Sequence, residues 1–403
     1  MENTKALSYK KTVALGFLIY FFSYIMRLDY SASIVAIVSD LKITNTMASA
    51  AVTGSFITYG LGQIICGFVG DKVSPIKMMS VAMIGTVLVN IAVSFCSSMV
   101  PITIFWSING FCQAMIWPAL VRFVSENIKG EKYSDAISNV GTASSFATIF
   151  IYIFVPFLLK VTVWRNTFRR MAIFGTIMLV WWLFVTKNIT LGKAEVKAKT
   201  ENQEKTISAW KLICIAGLLS LFFVVILQCI LRDGIQTWLP SLVNEQFKFD
   251  ESMSILSTSI LPVLSIVSLK LMNFLYKKIK HALKTTAVMF GVAFVCTIPL
   301  ALGVKNPIVV IVSAAAVSAC MHGVNVLLVG FIPRRFEKYG MVSTFSGVIN
   351  SFTYVGAAIS SYGIAALATI SWSLVLICWC AIAFVALVIS IIKIKGWTKF
   401  INE

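Results

Sequence analysis

Charge is scarce in this chain of 403 residues. Only 12% of them are charged, about half the share expected of a soluble domain, and 16 acids face 34 bases. Together with a hydrophobic content of 58% and a mean hydropathy of +0.88, this excludes a soluble globular protein. Histidine is nearly absent. His281 and His322 have no companions at metal-ligand spacing, so no metal site is expected. There is no Walker A loop, no nucleophile elbow and no catalytic carboxylate pair. Neither enzyme chemistry, nor direct drive by ATP, nor a cofactor is expected. The nine cysteines, from Cys66 to Cys380, fall in apolar stretches and none in an expected outer loop. They give no support to a disulfide framework and read as small packing residues.

What is abundant is long apolar runs. A membrane helix needs about 20 mainly apolar residues, and the chain divides into twelve such segments joined by short polar turns. Their approximate limits are 12–37, 48–70, 77–96, 101–125, 134–160, 168–187, 210–243, 252–276, 283–303, 307–331, 341–368 and 371–394. The N-terminal lysines, the apolar run and Ser31-Ala32-Ser33 imitate a signal peptide, but the spans that follow favour a retained first helix. The fold expected is an all-α membrane protein with twelve transmembrane helices.

The net charge of +18 would suggest a nucleic-acid partner in a soluble protein, but its distribution says otherwise. Of the 34 Lys and Arg residues, Lys42, Lys160, Arg165, Arg169, Arg170, Lys248 and Lys305 fall in outer loops, and Arg27, Arg232 and Lys270 lie inside spans. All the others lie on the opposite side. That asymmetry is the positive-inside pattern and places both termini in the cytoplasm. The basic balance reports topology; the partner surface is the lipid bilayer, not nucleic acid. Lysine outnumbers arginine 26 to 8, a bias found in AT-rich bacteria, and a bacterial cytoplasmic membrane is the expected location.

The longest polar stretch, NITLGKAEVKAKTENQEKTISA (188–209), lies almost at the centre of the chain. It is charged and poor in aromatics, and reads as a linker between two six-helix bundles, residues 1–187 and 210–403. One pair of segments matches across the halves: RLDYSASIVAIVSDLKI (27–43) and RDGIQTWLPSLVNEQFKF (232–249). Each opens with an intramembrane arginine, has an acid within two residues, and ends in a lysine between apolar residues. Such a match points to duplicated, pseudo-symmetric halves.

An arginine at the centre of a span costs about 2.5–3.5 kcal/mol on insertion scales. Arg27 and Arg232 lie roughly 18 Å from the outer ends of their helices at helical rise, beyond snorkelling reach. Two guanidiniums supply planar forks of donors suited to a phosphate or to carboxylates. The alternative is a structural ion pair, Arg27 with Asp29 and Arg232 with Asp233. Neighbours one or two apart on a helix do not face each other, so each acid is expected to meet another helix. Tyr20, Tyr24 and Arg27 form one stripe on the first helix, where a phenol can donate to an anion or simply pack. In the outer loop KVTVWRNTFRR (160–170), four positive charges either concentrate an anionic substrate or form a solvated, headgroup-binding surface, and the second reading is preferred.

After the second span, GFVGDKVSPIK (67–77) carries Gly67 for close helix approach, Asp71 and Lys72 in the turn, and Pro75 to sharpen it. The G-x-x-x-D-K pattern resembles the hallmark of the major facilitator superfamily. D-K-x-S-P is similar to the form in its organophosphate:phosphate antiporter branch, the glycerol-3-phosphate and hexose-phosphate exchangers. YIMRLDYSASI, NGFCQAMIWPALVRF (109–123), LRDGIQTWLPSLVNE (231–245) and FSGVINSFTYVGAAISS (345–361) resemble the corresponding segments of that branch. The resemblance implies a major facilitator fold, with Arg27 and Arg232 on the phosphate and Tyr20, Tyr24, Tyr59 and Tyr354 around it. A lysine and a histidine of the branch correspond to Gln63 and Ser138 here, which puts glycerol-3-phosphate itself in doubt. Lys270 in the eighth span either replaces the lost charge or snorkels to headgroups.

The function expected is a secondary transporter, a monomer, that exchanges a small organic anion, foremost a phosphate ester, for inorganic phosphate by alternating access. Two rivals stand beside it. One is proton-coupled symport of a carboxylate or sugar acid, with Asp29 and Asp233 as proton carriers. The other is a transporter-like sensor that binds a sugar phosphate and signals.

Overall fold

The computed structural model describes residues 7–189, 208–249 and 260–402. Among these, twelve helices are long and apolar enough to cross a bilayer. They are α1 (Tyr9–Leu41), α2 (Met47–Gly70), α3 (Pro75–Val93), α4 (Met99–Asn127), α5 (Lys132–Leu159) and α6 (Trp164–Thr186), then α7 (Leu218–Phe247), α8 (Ile260–Ile279), α9 (Ala282–Ala301), α10 (Pro307–Tyr339), α11 (Val342–Ile370) and α12 (Trp372–Asn402). The expected all-α architecture is therefore borne out. Residues 190–207 of the expected linker lie outside the described residues, as does the start of the expected eighth span.

Local chemistry sets the helix ends. The hydroxyls of Ser8 and Thr44 accept the N–H groups of Lys11 and Met47, and Asn306 accepts those of Ile308 and Val309 ahead of Pro307. The expected seventh span divides: a short helix, Ala209–Ile215, is separated from α7 by Gly217 at φ 64°. Inside α10 and α11, π-helical turns at Leu327–Phe331 and Ser360–Ile364 interrupt the regular ladder.

The described residues up to 189, together with Phe336–Ser351, form one compact unit; the remainder from 208 onward forms a second. In the first, α1 packs on α5 and α6, α2 on α4, and α3 on α4 and α6. In the second, α7 packs on α10 and α12, α8 on α10, and α9 on α10 and α12. All five of these first-unit pairings recur six helices later, α1·α5 as the contact of α7 with the π turn of α11, so the halves repeat one packing scheme. In lipid such packing rests on close contact and interhelical hydrogen bonds rather than on the hydrophobic effect.

The end of the first unit that carries the α1–α2 and α3–α4 turns is built around Tyr30, Ile37, Trp106, Trp164 and Phe168. The Tyr30 ring packs at a tilt, its centroid 5.1 Å from that of Trp106, and its hydroxyl donates to the Ala48 carbonyl at 2.8 Å. Here the expectation for 160–170 is corrected. Arg165 pairs with Asp40 at 2.6 Å, donates to the Cys96 carbonyl at 3.2 Å and lies over Trp164, whose indole also donates to Asp40. Arg169 reaches the Ser94 hydroxyl and covers Phe95. Two of the four cations are thus fasteners between α6, the end of α1 and the α3–α4 turn. Cys96 sits in that turn rather than in a span, as a buried thiol whose pKa burial raises.

Candidate functional site

In the first unit, Arg27 lies midway along α1 against aromatic faces. Its guanidinium carbon is 4.3 Å from the ring centroid of Tyr59 on α2 and 5.4 Å from that of Tyr24. Both distances are within cation–π range. Tyr20 donates to the Tyr24 hydroxyl at 3.4 Å and packs its ring 5.1 Å from Trp117. The stripe read from the sequence is thus one contiguous aromatic wall behind the cation.

The rotation of α1 at this depth is fixed from behind by three buried amides. Asn90 of α3 and Asn109 of α4 both donate to the Met26 carbonyl, at 3.3 and 3.1 Å. Gln113 of α4 donates to the Ser23 carbonyl at 3.0 Å and to Thr86 at 3.2 Å. Holding those carbonyls turns Arg27, one residue on from Met26, toward Tyr59. Sequence reasoning missed these positioning residues, although three amides in apolar spans were a visible signal. Asp29 is fully buried; its Oδ1 accepts the Tyr30 N–H at 2.8 Å and its Oδ2 has no hydrogen-bond partner.

In the second unit, Arg232 and Asp233 form a direct forked pair. Nε meets Oδ1 at 2.6 Å and Nη2 meets Oδ2 at 3.2 Å. This corrects the expectation that adjacent helix positions cannot pair: the rule concerns the direction of Cβ, and the long arginine chain swings round to its neighbour. The Cys229 thiol donates to Asp233 Oδ2 at 3.3 Å. His322 on α10 interacts electrostatically with both charged groups. The π turn of α11 closes on this stretch: Ser360 donates to the Ile230 carbonyl at 3.4 Å, and a Cβ on Gly234 would lie only 2.8 Å from its hydroxyl. Neither Cys229 nor His322 was singled out as a site residue from the sequence.

A third locus is the α2–α3 turn. Asp71 Oδ1 and Oδ2 accept the backbone N–H groups of Ser343 and Thr344, at 2.8 and 2.9 Å, at the N-terminus of α11. An anion there meets orphan donors and the positive end of the helix macrodipole. Burial nonetheless raises the Asp71 carboxyl to about 6, against the opposing pull of those donors and of Arg122. Arg122 braces the turn by donating to the Gly70 and Val73 carbonyls while pairing with Glu126 at 2.6 Å. Gly347 lets α11 touch α2, since a Cβ there would collide with the Gln63 carbonyl. Lys72 is exposed beside this contact.

The remaining expected residues are dispersed within their units. Gln63 is fully buried and ties α2 to the Ala114 carbonyl at 3.0 Å, with Oε1 unsatisfied. Ser138 is buried on α5, Tyr354 half-buried on α11 and Lys270 exposed on α8. His281 caps α9 by accepting the Lys284 N–H.

Comparison with known proteins follows the same lines. The Major Facilitator Superfamily profile matches residues 13–361. A probable hexose phosphate transport protein of Chlamydia pneumoniae is 23% identical over 150 residues, 37% of this chain and 33% of that protein. The protein of the same description from Chlamydia trachomatis serovar D is 28% identical over 109 residues, 27% of this chain and 24% of its own. The membrane sensor protein UhpC of Salmonella typhimurium is 26% identical over 114 residues, 28% of this chain and 25% of that protein. These alignments take in a third or less of each relative's length. Among solved structures, the proton:xylose symporter XylE superposes with a TM-score of 0.73 at 12% identity, covering 98% of this chain and 96% of its own. FucP in its outward conformation gives 0.73 at 11% identity, over 96% and 99%. At such identities the likeness speaks for the fold alone. The expected superfamily is borne out, and it is a family of transporters rather than enzymes. The chain is a multi-pass membrane protein that belongs to the Major Facilitator Superfamily.

Proposed function

We propose that this protein is a secondary transporter of a phosphorylated sugar or a similar organophosphate, exchanged for inorganic phosphate by alternating access. The observation that carries the reading is the pair of matched stations, Arg27 backed by Tyr59 and Tyr24, and Arg232 at the corresponding depth of α7. A phosphate dianion carries the charge that two guanidiniums neutralise, and their planar forks suit its oxygens. Tyr20, Tyr354, Gln63, Ser138 and Lys270 are assigned to the rest of the substrate. Asp71 and Lys72 are assigned to gating, and both termini to the cytoplasm. The names of two relatives, both probable hexose phosphate transport proteins, support the substrate class.

The test is counterflow in proteoliposomes. With inorganic phosphate inside, uptake of radiolabelled glucose 6-phosphate is expected from the wild type and lost in Arg27→Ala and in Arg232→Ala. Exchange that survives both substitutions removes the reading. Binding of glucose 6-phosphate without flux makes the protein a sensor instead.

A second reading, proton-coupled symport, is favoured by one observation: Asp29 is fully buried with Oδ2 unpartnered. A lone carboxylate in such a place is costly unless it takes up a proton or a cation. Uptake driven by an imposed pH gradient without counter-substrate, and abolished by Asp29→Asn, supports that reading over exchange.

A further inference from the structure

The Arg232–Asp233 pair occupies, within one helix, one of the two forked edges by which a guanidinium grips an oxyanion. Nε and Nη2 are both engaged, at 2.6 and 3.2 Å, in the parallel two-point geometry that carboxylates and phosphates share. Asp233 is also held from a second direction by the Cys229 thiol at 3.3 Å. Both side chains are largely enclosed, with 15% of the arginine and 29% of the aspartate exposed. A structural ion pair would suffice if Arg232 had no other task, but a central arginine with a phosphate role needs its fork for the substrate.

We propose that Asp233 is a resident counter-anion of Arg232, which an incoming substrate must outbid, and that it thereby sets a charge threshold favouring dianionic phosphate over monoanionic carboxylate. The inference rests on the phosphate reading above and concerns the specificity of the same site. Coulomb attraction scales with charge. A monoanion that replaces Asp233 on Arg232 exchanges one carboxylate contact for another and gains little. A phosphate dianion at the same place doubles the charge product and displaces the aspartate. The released Asp233 is not stranded, because the Cys229 thiol still donates to it and His322 on α10 lies within electrostatic reach of the pair. Built-in repulsion of the wrong ligand is a recognised route to discrimination. Asp233 is in this view a specificity-determining residue, and the adjacency that looked unfavourable in the sequence is what places it on the fork.

The experiment is isothermal titration of the full chain in lipid nanodiscs with two probes of similar size, glucose 6-phosphate and glucuronate. The wild type is expected to prefer glucose 6-phosphate strongly. Asp233→Asn, close to isosteric, is expected to bind both probes more tightly, with glucuronate gaining about tenfold more than the phosphate, so that the preference narrows. Asp233→Glu is expected to restore most of the discrimination. If Asp233→Asn does not fold, Asp233→Ser makes the same charge deletion with less bulk. An unchanged ratio of affinities, or weaker binding of both probes, overturns the proposal and makes Asp233 a structural partner. If the wild type binds neither probe, the phosphate reading falls and this inference with it. If it binds glucose 6-phosphate but the ratio does not move, only the present inference fails.

Discussion

Lys42 and Lys248 end their helices in the same left-handed conformation, at φ 52° and φ 59°, each with its N–H returned to the carbonyl four residues back. Lys280 is the only other non-glycine with positive φ among the described residues. The two lysines follow Arg27 and Arg232 by nearly the same distance along the chain, so the matched segments share a half-buried cation, a helix and a stop. Side chains other than glycine reach this conformation at a cost of roughly 1–2 kcal/mol. Lys42→Gly is therefore expected to raise the melting temperature in detergent by an amount corresponding to about 1 kcal/mol. Lys42→Val, whose branched Cβ is least tolerant of that backbone, should lower it. Lys248 should respond in the same directions.

Arg27 faces the Tyr59 ring at 4.3 Å. A cation–π contact removed from water contributes up to about 2 kcal/mol, and here it orients the fork. Tyr59→Leu is expected to weaken glucose 6-phosphate binding by about tenfold, the effect of losing roughly 1.4 kcal/mol. Tyr59→Phe keeps the ring and should lose far less. Titration of the two variants side by side decides whether the ring face or the hydroxyl matters.

Much of this arrangement was legible in the sequence because charge in an apolar span is conspicuous. Arg27, Asp29, Arg232 and Asp233 stand out in any hydropathy reading, and the αL lysines fall where the apolar run meets water. What escaped depended on geometry that periodicity does not encode. The pairing of Asp233 was missed because helical spacing describes Cβ positions, whereas Arg232 reaches its neighbour through a flexible four-bond chain. The role of Arg165 depends on Asp40, which is 125 residues away. The resemblance to the antiporter branch put Gln63 at the place of a ligand lysine, and its Nε2 holds the Ala114 carbonyl of α4. The π turns at 327–331 and 360–364 add a residue to a turn without changing the apolar pattern.

Asn90 and Asn109 converge on one acceptor, the Met26 carbonyl. Interhelical hydrogen bonds in membranes contribute about 0.6 kcal/mol on average and up to about 1.7. Asn109→Leu should lower the melting temperature modestly. The double variant with Asn90→Leu is expected to lose more than the sum, because either amide alone still satisfies the carbonyl. A transport assay separates the two roles: free rotation of α1 at Arg27 should raise KM for glucose 6-phosphate more than it changes kcat. Strict additivity with unaltered KM would make these amides ordinary packing groups.

Asp71 docks on the N-terminus of α11 through Ser343 and Thr344, and burial holds its carboxyl at about 6. An exposed aspartate titrates near 3.9. Between those values the docked arrangement binds more protons than an undocked one, so its stability relative to the undocked state falls as pH rises through the window and levels off above 6. Acidification from pH 7 to pH 5 is therefore expected to favour docking by about tenfold, one unit below the docked pKa. Amide hydrogen exchange at residues 343 and 344, corrected for the intrinsic pH dependence, reads this directly. Protection should rise about tenfold in the wild type and stay flat in Asp71→Asn, which cannot titrate. Protection that falls on acidification would mean that the ionised carboxylate is the docked form, with the helix dipole and Arg122 outweighing burial.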